Sequence, residues 1–268
     1  MPRFFLLLAA LILPSLSVAA ETGPKLGLQT WTCRNMTFEQ VVDFAVAHQI
    51  TYLEFIPAQI NPFAPREESL RKKALLESKG LVAYSFGGNP TTLTQEENRR
   101  LFEFAKLMGI SVIMIEPKDP AQWDNLEALV KEYDIKLAIH NHGHGTTYGD
   151  PATVQRVLAE RDIRIGVCLD VGWVTAAGFD AAEVFRSYGN RVYDMHLKDK
   201  KPERTGDKLT WVDTEIGQGA ANYEGLFQEI KNTGWSGVMA IETDSKVFAA
   251  DPHLFVTSAS AFFEKHAK

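Results

Sequence analysis

Short apolar runs recur along the chain at 26–30, 51–56, 80–86, 111–116, 135–140, 165–170, 192–197 and 238–242. Each has the length and continuity of a β-strand buried on both faces. The segments between them carry helical spacing. Phe38, Val41, Val42, Ala45 and Val46 make one apolar stripe, and Leu101, Phe104, Ala105 and Met108 make another. Boundary signals agree with this division. Thr37-x-x-Gln40 and Thr94-x-x-Glu97 read as capping boxes, Asp150-Pro151 puts proline at a first helical position, and Gly80 and Gly109 stand as helix stops.

Successive runs begin about 25 to 31 residues apart, with one longer gap before the last, and that period demands parallel strands joined by right-handed crossovers. Eight such units predict an α/β fold, a single (β/α)8 TIM barrel over residues 21–268, with no composition shift to mark a second domain. An open doubly wound sheet is the alternative, but no Gly-x-Gly-x-x-Gly follows the first run. The longer gap, 199–222, holds Lys, Pro, Arg, Gly and Asp before Trp211 and reads as a loop on the catalytic face.

The first twenty residues do not belong to this pattern. Arg3 precedes ten apolar residues, then Pro14 and small residues up to Ala19-Ala20, which describes a secretory signal peptide; an uncleaved membrane anchor is the alternative. The mature protein is therefore expected in the periplasm or outside the cell, with no membrane attachment after cleavage. Of 268 residues, 45% are hydrophobic and 23% charged, values that exclude disorder and collagen-like structure. A net charge of −6 argues against gripping nucleic acid or anionic lipid through the overall field. The two cysteines, Cys33 and Cys168, lie at or near predicted strands far apart and read as buried free thiols in preference to a disulfide.

In a barrel of this kind the carboxyl ends of the strands face the active site. Those positions hold Glu116, His140-Asn141-His142, Asp170, His196 with Lys198 and Asp199, and Glu242. Ionisable residues that close apolar strands are costly to bury unpaired, so their number points to a shared cation or a hydrogen-bond network. Mixed imidazole and carboxylate donors suit Mn2+, Zn2+, Fe2+ or Co2+ better than Mg2+ or Ca2+.

Leu169-Asp170-Val171-Gly172-Trp173, His196-Leu197-Lys198-Asp199 and Ile241-Glu242 resemble the last three strand ends of the xylose isomerase-like TIM-barrel superfamily. That group includes sugar isomerases and epimerases, inosose dehydratase-like proteins and, more distantly, endonuclease IV. Ile139-His140-Asn141-His142 and Gly217-Gln218-Gly219 resemble one branch with many exported proteins and some lyases acting on 3-keto-glycosides. The resemblance implies one divalent metal, Mn2+ first and Zn2+, Co2+ or Fe2+ as alternatives, held by His140, Asp170, His196 and Glu242. It also implies a small sugar or keto-sugar as substrate. The family's epimerases place a glutamate where this chain has His140, which puts two-base epimerisation in doubt and leaves isomerisation or β-elimination open. Glu116 is a candidate for the missing carboxylate. Trp173 stands where the family often has histidine, so a second metal of the endonuclease type loses a ligand.

On this reading a carbonyl and its neighbouring hydroxyl chelate the metal, and an enediolate forms when Glu242 removes the adjacent C–H proton. His142 or Glu116 returns the proton elsewhere or protonates a departing group, and Lys198 hydrogen-bonds a hydroxyl or the developing oxyanion. Trp31, Phe86, Trp173 and Trp211 are the candidate apolar walls against the sugar ring. The bland readings are a buried salt-bridge network on a sugar-binding barrel without catalysis, a core histidine at 142, and a plain turn at Gly217 and Gly219. Glu54 points into the barrel by alternation and reads as a structural carboxylate, Gln29 as packing, and His144 as a solvated loop residue. Exposed barrel helices are surfaces on which subunits can pair, so a homo-oligomer is left open.

Overall fold

The computed structural model describes residues 23–267; the signal peptide expected over 1–20 lies outside the described residues. Eight parallel strands close into a barrel: β1 Lys25–Gln29, β2 Tyr52–Phe55, β3 Val82–Phe86, β4 Val112–Ile115, β5 Lys136–His140, β6 Ile165–Asp170, β7 Val192–Leu197 and β10 Val238–Ile241. Around them pack α1 Phe38–Ala47, α2 Arg66–Ser78, α3 Gln95–Met108, α4 Trp123–Tyr133, α5 Pro151–Ala159, α6 Val171–Ala176, α7 Ala181–Tyr188, α8 Tyr223–Thr233, α9 Lys246–Ala250 and α10 His253–His266. Strand order around the barrel is β1-β10-β7-β6-β5-β4-β3-β2, so β10 lies diametrically opposite β4. Among the described residues no helix is long and apolar enough to cross a membrane.

The strands are apolar on both faces because each contributes to two cores. Leu137, Ile139, Leu169, Met239 and Ile241 face the helices, while Ala138, Cys168, Val112 and Met114 fill the barrel. Cys33 and Cys168 are buried free thiols, and burial pushes the Cys33 thiol up to about 12. Thr37 and Gln40 form the expected capping box, Asp150 caps the amide of Ala152 ahead of Pro151, and Gly109 ends α3 at φ 80°. Thr94 stands at the start of α3 but does not cap it through its side chain; Asn98 reaches back to Thr92 there.

Three sequence expectations are corrected by the strands themselves. Residues 199–222 are not simply a loop: Asp199–Thr205 (β8) and Lys208–Thr214 (β9) pair antiparallel as a hairpin turning at Gly206-Asp207, with Gly206 at φ 61°. Trp211 lies on that hairpin across from Pro202 and does not line the central cavity described below. Phe86 is not a cavity wall either. Tyr84 is an extra residue in the β2–β3 ladder, where the register slips between Leu53 and Glu54. A one-residue slip reverses the alternation, so Phe86 turns outward, fully buried against Phe104 of α3 at 5.1 Å.

Candidate functional site

Alternation with period two carries specific side chains to the carboxyl-terminal mouth. On β4 the inward series is Val112, Met114, Glu116; on β5, Ala138, His140, His142; on β6, Cys168, Asp170; on β7, Asp194, His196, Lys198; on β10, Val238, Ala240, Glu242. A cavity of about 250 Å³ opens at this mouth, lined by Gln29, Trp31, Ile56, Gly87, Gly88, Met114, Glu116, His140, His142, His196, Lys198, Glu242 and Asp244. A cavity that size suits a small molecule.

Four side-chain atoms at consecutive strand ends are buried without a hydrogen bond of regular geometry, two of them ion-paired with Lys198: His140 Nε2, Asp170 Oδ2, His196 Nδ1 and Glu242 Oε2. They converge, with Asp170 Oδ2 3.5 Å from both His140 Nε2 and His196 Nδ1, and His196 Nδ1 3.4 Å from Glu242 Oε2. The donor atoms of Asp170, His196 and Glu242 all lie within 4.8 Å of one another, with His140 Nε2 beside Asp170, and imidazole and carboxylate donors so arranged fit a divalent cation. The positive charge already beside them is the Lys198 ammonium, 2.5 Å from Glu242 Oε2, 2.8 Å from Asp244 Oδ2 and 3.3 Å from Asp170 Oδ2. Burial opposes its charge, but Asp170, Glu242 and Asp244 outweigh this and raise its pKa well above the usual lysine value. Burial likewise opposes protonation of His196, yet Cys168, Glu54 and Asp170 hold its pKa well above that of free imidazole, and Asp170 and Glu116 raise that of His140. The site draws positive charge wherever it can.

Glu116 sits behind His140. Its carboxylate accepts from His140 Nδ1 at 3.2 Å and His142 Nδ1 at 3.1 Å, leaving His140 Nε2 directed inward. Burial works against the Glu116 charge, but the two histidine hydrogen bonds hold its pKa down at about 2. His142 is half-buried and meets the Trp173 ring edge-on at 5.9 Å. Trp173 also carries Lys200 Nζ over its face at 3.8 Å, and Trp31 donates Nε1–H to Asp244 at 3.2 Å. Trp31 lines the cavity and Trp173 stands at its edge, so two of the four aromatic candidates come together with the polar residues.

Several supporting residues were not legible from sequence as such. Asn141 accepts from Asp170 N at 2.9 Å and donates to Asp170 O at 3.2 Å, which pins the ends of β5 and β6 together. Asp170 itself caps α6 through Trp173 N at 2.8 Å. Lys200 pairs with Asp213, whose other oxygen takes Thr243 Oγ1–H at 2.7 Å, so the hairpin base is tied to β10. The amides of Gly217, Gly219 and Ala221 are claimed by the Asp199 carboxylate at 2.9, 2.8 and 3.2 Å and hold that loop down.

Gly172 has a packing reason inside Leu169-Asp170-Val171-Gly172-Trp173: a Cβ there would fall 2.6 Å from Lys198 Cγ. Gly172→Ala is expected to destabilise the protein by about 1–3 kcal/mol through overpacking, against the gain of about 1 kcal/mol that alanine brings to an ordinary helix. Thermal unfolding checks this; a variant more stable than wild type would mean that Lys198 moves freely.

An inosose dehydratase from Clostridium perfringens is 25% identical over 91% of this chain and 98% of its own. A putative uncharacterized protein from Parabacteroides distasonis superposes with a TM-score of 0.69 and 25% identity, covering 90% of this chain and 98% of that one. The IOLI protein, solved with a binding zinc atom, superposes with a TM-score of 0.72 at 16% identity over 90% and 99% of the two chains. A family model described as the xylose isomerase-like TIM barrel matches residues 42–265. The chain belongs to the xylose isomerase-like TIM-barrel family.

Proposed function

We propose that this protein is an exported, divalent-metal-dependent enzyme that removes the proton next to a carbonyl of a sugar or keto-sugar and expels the substituent on the following carbon. The observation that carries this reading is the convergence of His140 Nε2, Asp170 Oδ2, His196 Nδ1 and Glu242 Oε2 at the carboxyl-terminal mouth. These residues would hold the metal, with Mn2+ or Zn2+ the first ions to try. A bound divalent cation would polarise the substrate carbonyl and stabilise negative charge on its oxygen.

The chain's own residues supply the rest. Glu242 at the end of β10 takes the proton from carbon. His142, held by Glu116 at the end of β4 on the opposite side of the barrel, protonates the departing oxygen. Lys198 and Trp31 orient hydroxyls and ring face at the rim. Placing the second acid–base group across the barrel from the first, on a separate histidine, favours elimination over return of the same proton. The inosose dehydratase relative supports a reaction of that class.

Nuclear magnetic resonance in D2O tests the proposal, with metal-loaded protein and a panel of inososes and 3-keto-glycosides. Deuterium exchange with loss of water or aglycone is the expected result. Exchange with the carbon skeleton and glycosidic bond intact would make the enzyme an isomerase or epimerase. No exchange by metal-loaded protein on any of them would contradict catalysis and leave a sugar-binding barrel.

Metal loading has a pH signature of known sign. The raised pKa values of His140 and His196 keep these rings protonated to higher pH than free imidazole, and a ligating nitrogen must lose its proton. Binding at pH 7 is therefore expected to release protons, and affinity to fall as pH drops. Calorimetric titration in buffers of different ionisation enthalpy reads the release; a heat independent of buffer would contradict it.

A further inference from the structure

We infer that Glu54 is a positioning residue for the metal centre: it accepts the Nε2 proton of His196 and so leaves Nδ1 as the atom that faces Asp170 and Glu242. The inference rests on the metal reading above and extends it to a residue that does not line the cavity. Glu54 is fully buried on β2 and lies 3.3 Å from His196 Nε2 through Oε2. A buried carboxylate is tolerated only where donors converge on it, and here three do. Besides His196, Gln29 Nε2 donates to Oε1 at 3.2 Å and the Tyr84 hydroxyl to Oε2 at 3.2 Å.

The orientation of Gln29 is fixed independently. Its Oε1 accepts the Trp31 backbone N–H at 2.7 Å, which turns the NH2 group toward Glu54. A second acid, Asp194, shares the Tyr84 hydroxyl at 2.8 Å.

The backbone is shaped for this network. Tyr84 is the extra residue where the β2–β3 register slips beside Glu54, and the β6–β7 register slips between Val167 and Cys168, just ahead of Asp194 on β7. Bulges of this kind re-aim side chains. The result is a pair of matched arrangements with opposite ring nitrogens. His140 gives Nδ1–H to Glu116 and turns Nε2 inward, while His196 gives Nε2–H to Glu54 and turns Nδ1 inward. Carboxylates behind ligating histidines fix the ring and its tautomer, and their loss weakens metal binding by about 10–100-fold.

The test uses the full chain, with 15N-labelled histidine, loaded with Zn2+. Long-range 1H–15N spectra are expected to show His196 protonated on Nε2 with Nδ1 carrying the metal. Glu54→Gln, nearly isosteric, is expected to bind Zn2+ about 10–100-fold more weakly in chelator competition, with circular dichroism unchanged and the Co2+ absorption spectrum shifted. Wild-type affinity and spectrum in a folded Glu54→Gln would overturn the inference, as would His196 ligating through Nε2. The tautomer is read in the wild type, so the inference stays exposed even if the variant does not fold. A wild-type protein that takes up no Zn2+ overturns both this inference and the metal reading beneath it, whereas uptake indifferent to Glu54 overturns this inference alone.

Discussion

Asp170→Asn is expected to lose metal binding by more than the roughly 10–100-fold that outer residues control, and activity with it, while the fold is retained. The substitution separates two jobs that one side chain performs. Asp170 Oδ1 accepts the Trp173 amide at the start of α6, and Oδ2 is the atom facing His140 and His196. Asparagine caps helices about as well as aspartate, so its oxygen keeps the first job and its amide cannot do the second. Asp170→Ala loses both and is expected to cost about 1 kcal/mol more in stability from the missing cap. Metal titration and thermal unfolding of the two variants, side by side, check the division. Wild-type metal affinity in Asp170→Asn would remove the residue from the ligand set.

Lys198→Met is the second large effect, and its sign depends on whether metal is present. Lys198 is buried among Asp170, Glu242 and Asp244, with its stem against Gly172. Methionine keeps much of the apolar stem and removes the ammonium, which leaves three carboxylates short of positive charge. Breaking a buried ion pair on one side costs about 3–5 kcal/mol, so the metal-free variant is expected to melt well below wild type. A divalent cation in the same cluster would restore much of that loss, because the carboxylates regain a counter-charge. Melting curves with and without Zn2+ read both halves. A variant as stable as wild type without metal would show that Lys198 does not balance the cluster.

Much of the barrel was readable because its causes are local in sequence. The runs at 165–170 and 192–197 coincide with β6 and β7, and the other six strands shift by only one or two residues at their ends. Strand-end position alone picked out Glu116, His140, His142, Asp170, His196, Lys198 and Glu242, and the fold gathers all seven around one mouth. What escaped has an equally physical reason. Phe86 was misplaced because an unpaired Tyr84 resets the alternation, and no single-strand pattern reveals a bulge that belongs to a pair of strands. The hairpin at 199–214 escaped because β8 is charged and mostly exposed, leaving Gly206-Asp207 and the Leu209–Trp211 alternation on β9 as its sequence cues. Glu54 looked structural because the histidine it holds is 142 residues away in the chain.

The most direct measurement is an anomalous difference map from crystals of the protein loaded with Mn2+ or Zn2+. The expected result is one peak among His140 Nε2, Asp170 Oδ2, His196 Nδ1 and Glu242 Oε2, with the Lys198 ammonium displaced toward Asp244. An empty cluster under saturating metal, or an ion held instead between Glu116 and His142, would contradict it.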